Sequence, residues 1–232
     1  MTASLTLCLD TSDGVAVALL RAGEQIAGAR SDETRRHMET LTPLITSCMQ
    51  QAEVGPAQVT EVAVGTGPAP FTGLRVGLIT ARTFAEVRRI PALGVSSLEA
   101  IAASAAAPGT EILIATDARR REVYWGRYRR TEAGVQAVAG PGVATAQDLA
   151  AENADLIDAG QVVGAGVRLY PDQLAPGWDQ DAIAAAAARV VDAAALGRLA
   201  LERAAAGVDQ PTQALYLRSP DIAPPSRRKR AS

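Results

Sequence analysis

A chain of 232 residues has room for one large domain or two small ones, with a core hiding roughly 70% of the surface its unfolded form would expose. At 48% hydrophobic and 21% charged it reads as a soluble globular protein, and no apolar run nears the roughly 20 residues that span a bilayer. A net charge of −2 lacks the bulk basic footprint of a protein that grips nucleic acid alone.

The first ten residues have no basic start and no cleavage-like site, so they read as a strand rather than a signal peptide. Apolar segments 5–9, 15–20 and 25–29, separated by Asp13-Gly14 and Ala22-Gly23-Glu24, predict an antiparallel meander. A helix follows over 34–52. On a helical wheel Leu44, His37, Cys48, Leu41, Ala52, Ile45, Met38 and Met49 share an arc of roughly 140°. Strand 62–64 then enters the loop Gly65-Thr66-Gly67-Pro68-Ala69-Pro70, with Thr72 a candidate cap for helix 74–89. In that helix Arg75, Arg82, Glu86 and Arg89 form a narrow polar stripe. Gly73, Gly77, Ala81 and Ala85 recur every four residues, a spacing that lets another helix approach closely. A helix apolar most of the way round needs cover on a second side, from the preceding helix, the second lobe or another chain. Strand 92–95, a cap at Ser96-Ser97 and helix 97–106 complete the order βββαβαβα, which predicts an α/β mixed sheet flanked by helices.

Ala105-Ala106-Ala107-Pro108-Gly109 marks the boundary between a first lobe, 1–107, and a second, 108–223. Strands 112–116 and 123–128 restart the first pattern. Residues 161–166 read as a strand running into a glycine turn, 182–206 as one Ala-rich helix able to pack back on the first lobe, and 213–218 as a last short strand. The tail 224–232, with Arg227-Arg228-Lys229-Arg230, lacks apolar residues and is predicted to be disordered.

His37 is the only histidine, so any two-imidazole metal site is excluded by count, and it reads as structural. Cys8 and Cys48 have no metal spacing and form no disulfide framework. They read as reduced, buried thiols of a cytoplasmic protein. Asp10 and Thr11 close the first strand, and Asp117 closes its counterpart in the second half. Paired strand-end aspartates suit a phosphate site, and equally they initiate turns. Asp117 precedes Ala118-Arg119-Arg120-Arg121 rather than the glycines a close phosphate approach needs. Gly65-x-Gly67-Pro68 lacks the third glycine of a dinucleotide fingerprint. On residues alone, an ATP-dependent kinase-like phosphotransferase using Asp10 and Asp117 stays open beside a non-catalytic binding protein.

The stretches Leu9-Asp10-Thr11, His37-x-Glu39-x-Leu41-x-Pro43-Leu44-Ile45, Gly67-Pro68-x-x-Phe71-Thr72-Gly73-Leu74-Arg75-Val76-Gly77, Gly94-Val95-Ser96-Ser97-Leu98, Asp117-Ala118-Arg119-x-x-Glu122-Val123-Tyr124-Trp125 and Tyr216-Leu217-Arg218 resemble the bacterial TsaB (YeaZ) family. That resemblance implies a fold of the actin, Hsp70 and sugar-kinase type, two RNase H-like lobes with mixed sheets. It implies a non-catalytic subunit in the formation of threonylcarbamoyladenosine at position 37 of tRNAs reading A-starting codons. It implies no cofactor, a TsaD transferase partner, a TsaE ATPase, self-association when TsaD is absent, tRNA met indirectly through the complex, and no membrane. The TsaD relative carries a His-x-x-x-His metal pair where this chain has Ser97 and Ile101, and an isoleucine cannot bind metal. Here Ala69 and Pro70 replace the family's usual Gly-Ser. The implied partner face comprises His37, Met38, Leu41, Leu44, Ile45, Cys48, Gly73, Leu74, Gly77, Leu78, Ala81 and Ala85, so a charge at Leu78 or Ala81 is expected to separate the complex and spare the fold. A vestigial phosphate site would be Asp10, Thr11 and Asp117.

Overall fold

The computed structural model describes residues 3–33, 36–132 and 134–218. Strand β1 (Leu5–Asp10) sits at the centre of the first sheet. It pairs antiparallel with β2 (Val15–Arg21), which pairs antiparallel with β3 (Glu24–Ser31). On its other side it pairs parallel with β4 (Glu61–Gly65), which pairs parallel with β5 (Ala92–Val95). Helices α1 (His37–Gln51) and α2 (Phe71–Arg88) make the crossovers, and α3 (Ser97–Ala105) leads out. The second sheet repeats the plan. Strand β6 (Glu111–Asp117) pairs antiparallel with β7 (Glu122–Thr131) and parallel with the short β9 (Val162–Val163), while β8 (Gly134–Thr145) extends β7. The orders β3-β2-β1-β4-β5 and β8-β7-β6-β9 are one topology, the second lacking the last strand. Short helices α4 (Ala146–Glu152), α5 (Ala154–Asp158), α6 (Ala165–Leu169), α7 (Pro171–Leu174) and α8 (Gln180–Ala187) precede a longer α9 (Ala193–Ala205).

Period-two alternation builds the layers. Leu5, Leu7 and Leu9 of β1 and Val15, Val17 and Leu19 of β2 enter one core under α1 and α2. Cys8, Ala16, Ala18 and Leu20 point the other way, into a core shared with α3 and α9. That second face is small because α9 lies close upon it, and a Cβ on Gly197 would fall 2.3 Å from Cys8 Sγ. The same middle layer takes Ile112, Ile114 and Tyr128 from the second sheet, so α3 and α9 lie between the two sheets. A third core, around Leu113, Val123 and Leu149, closes the far side. Among the described residues no helix is long and apolar enough to cross a membrane.

Several expectations are corrected. The Ala-rich segment is two helices, because Asp192 leaves the helical path and its carboxylate accepts from the Ala194 and Ala195 amides at 2.8 and 3.1 Å, capping α9. Residues 213–218 form no strand. Leu215 donates one amide to Thr66 O at 2.8 Å and the segment continues as a strap. Thr72 caps nothing, since α2 already begins at Phe71 behind Pro70. Ser96 stands at the cap position of α3, yet its hydroxyl donates to Gly67 O at 3.3 Å. Residues 34–35 of the expected first helix and the whole tail 224–232 lie outside the described residues.

Candidate functional site

The C-terminal ends of β1, β4 and β6 and the start of α3 meet at a cleft of about 340 Å³. Its walls are Thr11, Ser12 and Asp13 after β1, residues 68–73 after β4, Ser97 and Ile101 of α3, and Thr116, Asp117, Arg119 and Tyr124 of the second sheet.

Asp10 is buried behind this cleft, and three hydrogen bonds occupy its carboxylate. Oδ1 accepts from the Ser12 amide at 2.8 Å and the Ser12 hydroxyl at 2.5 Å, and Oδ2 accepts from the Ser97 hydroxyl at 2.6 Å. Ser97 Oγ in turn accepts from the Gly67 amide at 3.2 Å. Gly65 leaves room for this, because a Cβ there would lie 1.8 Å from Asp10 Oδ2. Asp10 thus ties β1, the β4 loop and α3 together. Asp117 behaves similarly: Oδ1 accepts from the Arg119 amide at 2.7 Å and Oδ2 pairs with the Arg119 guanidinium at 2.8 Å. Both strand-end aspartates form turns and spend their oxygens internally. The loop that would cradle a phosphate is filled by Pro68, Ala69 and Pro70.

Burial raises the Asp10 carboxyl above its ordinary range, and the Ser12 and Ser97 hydrogen bonds pull it partly back. An acid whose folded pKa lies above its unfolded one favours the folded state below the unfolded pKa and loses that advantage as pH climbs through the folded value. The stability of the natural chain relative to Asp10→Asn should therefore rise as pH falls from neutrality toward 4, read as urea midpoints across that range. A gap independent of pH would mean that Asp10 carries no shifted proton.

Thr11 Oγ1 donates to Gly73 O at 2.8 Å and accepts from the Gly77 amide at 3.1 Å, stitching β1 to α2. The His37 ring lies against Gly73, where a Cβ would meet Cε1 at 2.9 Å. Burial holds the imidazole below its ordinary range, opposed by Asp10 and Asp13. Gly73 and Gly77 are small for Thr11 and His37 of the same chain, not for a foreign helix.

The packing of α1 and α2 on the sheet decides where the expected partner residues lie. Leu41, Cys48, Gly73, Leu74, Gly77, Leu78, Ala81 and Ala85 are buried inside the chain. His37, Leu44 and Ile45 are half-buried, and Met38 is exposed. A charge at Leu78 or Ala81 therefore strikes the core, so the expectation that it spares the fold is corrected. What α1 and α2 turn outward shares only Met38 with that expectation: Met38, Phe71, Ile79 and, further along α2, Val87, with Val76 half-buried between them. Met38 and Val87 are each 77% exposed and Ile79 is 61% exposed. Met38, Phe71, Val76 and Ile79 line a groove of about 420 Å³ between the helices. The signal available in the sequence was the strap-side stripe of Arg75 and Arg82, which fixes the outward half of α2.

The C-terminal strap completes the site. Gln210 O accepts from the Gly94 amide at 3.0 Å, Arg82 donates to Thr212 Oγ1 at 2.9 Å, and Arg75 donates to the Tyr216 hydroxyl at 3.0 Å. Arg218 pairs with Glu122 of β7.

Two repeats of one sheet topology closing on a cleft define a two-lobed protein of the actin, Hsp70 and sugar-kinase fold. Residues 31–200 match the family model described as TsaD: tRNA N6-adenosine threonylcarbamoyltransferase. The chain belongs to the TsaB/YeaZ family. It is 34% identical over 103 residues to the tRNA threonylcarbamoyladenosine biosynthesis protein TsaB of Escherichia coli, covering 44% of this chain and 45% of that one. An uncharacterised protein of Mycobacterium leprae is 38% identical over 151 residues, covering 63% of this chain and 40% of that one. The alignments thus span about half or less of these relatives' lengths. YeaZ from Pseudomonas aeruginosa superposes with a TM-score of 0.75 at 27% identity, covering 92% of this chain and all of that one.

Proposed function

We propose that this chain is a non-catalytic subunit that docks a TsaD-type transferase through the open α1/α2 face and so supports threonylcarbamoyladenosine formation at position 37 of tRNAs reading A-starting codons. The carrying observation is the contrast between the two surfaces. The cleft that serves chemistry in this fold has its carboxylates tied up internally, whereas the α1/α2 groove is apolar and uncovered. Ile101 is buried in the core at 2% exposure, and Ser97 is committed to Asp10 and Gly67, so neither offers a metal the ligand that the TsaD relative supplies there. The donor adenylate, ATP and metal then belong to partner subunits, TsaE among them, in a cytoplasmic assembly, and the same face pairs two copies when TsaD is absent. A stable interface of this kind buries about 1,200 Å² or more.

The test is reconstitution. TsaD, tRNA and threonylcarbamoyl-adenylate are mixed with and without the chain, and modified nucleoside is counted by mass spectrometry. Modification should require both proteins. Transfer by the lone chain, or full transfer by TsaD without it, would overturn the reading.

A further inference from the structure

In a chain with 3% aromatic residues, two exposed rings stand side by side. Phe71 is 39% and Tyr216 43% exposed, and their centroids are 5.0 Å apart at 32°. The Arg75 guanidinium lies 3.5 Å over the Phe71 ring and bonds the Tyr216 hydroxyl, so the trio is fixed before any ligand arrives. Phe71 forms one lip of the cleft, and the opposite lip carries Arg119, beside Arg120 and Arg121. All three arginines are exposed and hold left-handed backbone, with φ of 64, 54 and 64°. Such backbone costs roughly 1–2 kcal/mol per residue without glycine, and strain of this kind collects at functional sites. The nearby carboxylates Asp117 and Glu122 are neutralised by Arg119 and Arg218, leaving Asp13 as the other acid on the cleft wall.

Fixed aromatic faces flanked by arginines are the chemistry that takes unpaired bases and their phosphates. We propose that the Tyr216 ring, held in place by Phe71 and Arg75, and Arg121 on the opposite tip contact single-stranded RNA directly, with a base on Tyr216 and phosphate on Arg121. This rests on the tRNA-modification reading for its choice of RNA, and it replaces purely indirect contact with a direct one.

The test uses the full chain alone. Fluorescence anisotropy is measured with a labelled single-stranded RNA of about 12 nucleotides and with a duplex of equal length. The single strand should bind preferentially and weaken as salt rises. Tyr216→Leu should weaken it by about fivefold or more, Tyr216→Phe should retain it, and Arg121→Glu should weaken it and flatten the salt slope. Circular dichroism establishes that each variant is folded. No single-strand binding at low salt, equal duplex binding, or an unchanged Tyr216→Leu would overturn the proposal. So would Tyr216→Leu losing TsaD capture while keeping RNA, which makes the lip a protein contact. Capture of TsaD by the natural chain is scored separately. RNA failure with capture intact sinks this inference alone, and capture failure sinks the docking reading alone.

Discussion

Ile79→Glu is expected to fold normally and to lose TsaD. Its side chain is 61% exposed in the groove between α1 and α2, so the new carboxylate stays in water in the free subunit. A surface change of this type stays within about 0.5 kcal/mol, or roughly 2 °C in Tm for a chain of this size. In a complex the same carboxylate would be stripped of water against an apolar partner, and losing an anchor of about 2 kcal/mol or more weakens binding roughly 30-fold. Ala81→Glu, two residues along, should behave in the opposite way. Ala81 is fully buried in the core beneath α2, and a charge there is unpaired, costing about 3–5 kcal/mol beyond the overpacking. Against a total stability of about 5–15 kcal/mol this should leave little soluble protein. Calorimetry for Tm and titration with TsaD for affinity separate the two outcomes. If Ile79→Glu binds as the natural chain does, the partner sits elsewhere.

The second large effect is at Gly77. A Cβ there would lie 2.5 Å from Thr11 Oγ1, the atom that joins β1 to α2 through Gly73 O and the Gly77 amide. Gly77→Ala should therefore destabilise by about 1–3 kcal/mol, the cost of overpacking a closed site. The Thr11→Ala background removes the obstructing hydroxyl and methyl. There the same substitution should be neutral or stabilising by up to about 1 kcal/mol, the ordinary helix gain over glycine. Chemical denaturation of the four proteins of this cycle measures the coupling directly. Additive effects would show that Thr11 is not what makes Gly77 small.

Strands with strong local signatures were legible in the sequence: Leu5 to Leu9, Val15 to Leu20 and Ile112 to Thr116 alternate or run apolar, and turns punctuate them. Strand β8 was not, since Gly134–Thr145 is largely glycine, alanine and valine with a proline inside, and its partner β7 defines it more than its own residues do. The helices α4 to α8 are short, and no apolar period can establish itself over four to eight residues. In α2 the period was readable but its cover was not. Small residues every four positions fit a foreign helix or an internal strand end equally well, and only Thr11, 66 residues from Gly77, decides it. The Asp10–Ser97 bond, across 87 residues, turns a strand-end aspartate into a tie, and no local pattern announces it.

The place of α9 has a bearing on biosynthesis. Its alanines and Gly197 seal the inner face of the sheet laid down by β1 and β2, although nearly the whole polypeptide separates them in order of translation. The first hundred residues hold the start of α3 on this face but not the helix that closes the rest of it. Burial of that inner face in the amino-terminal half therefore depends on residues 193–205.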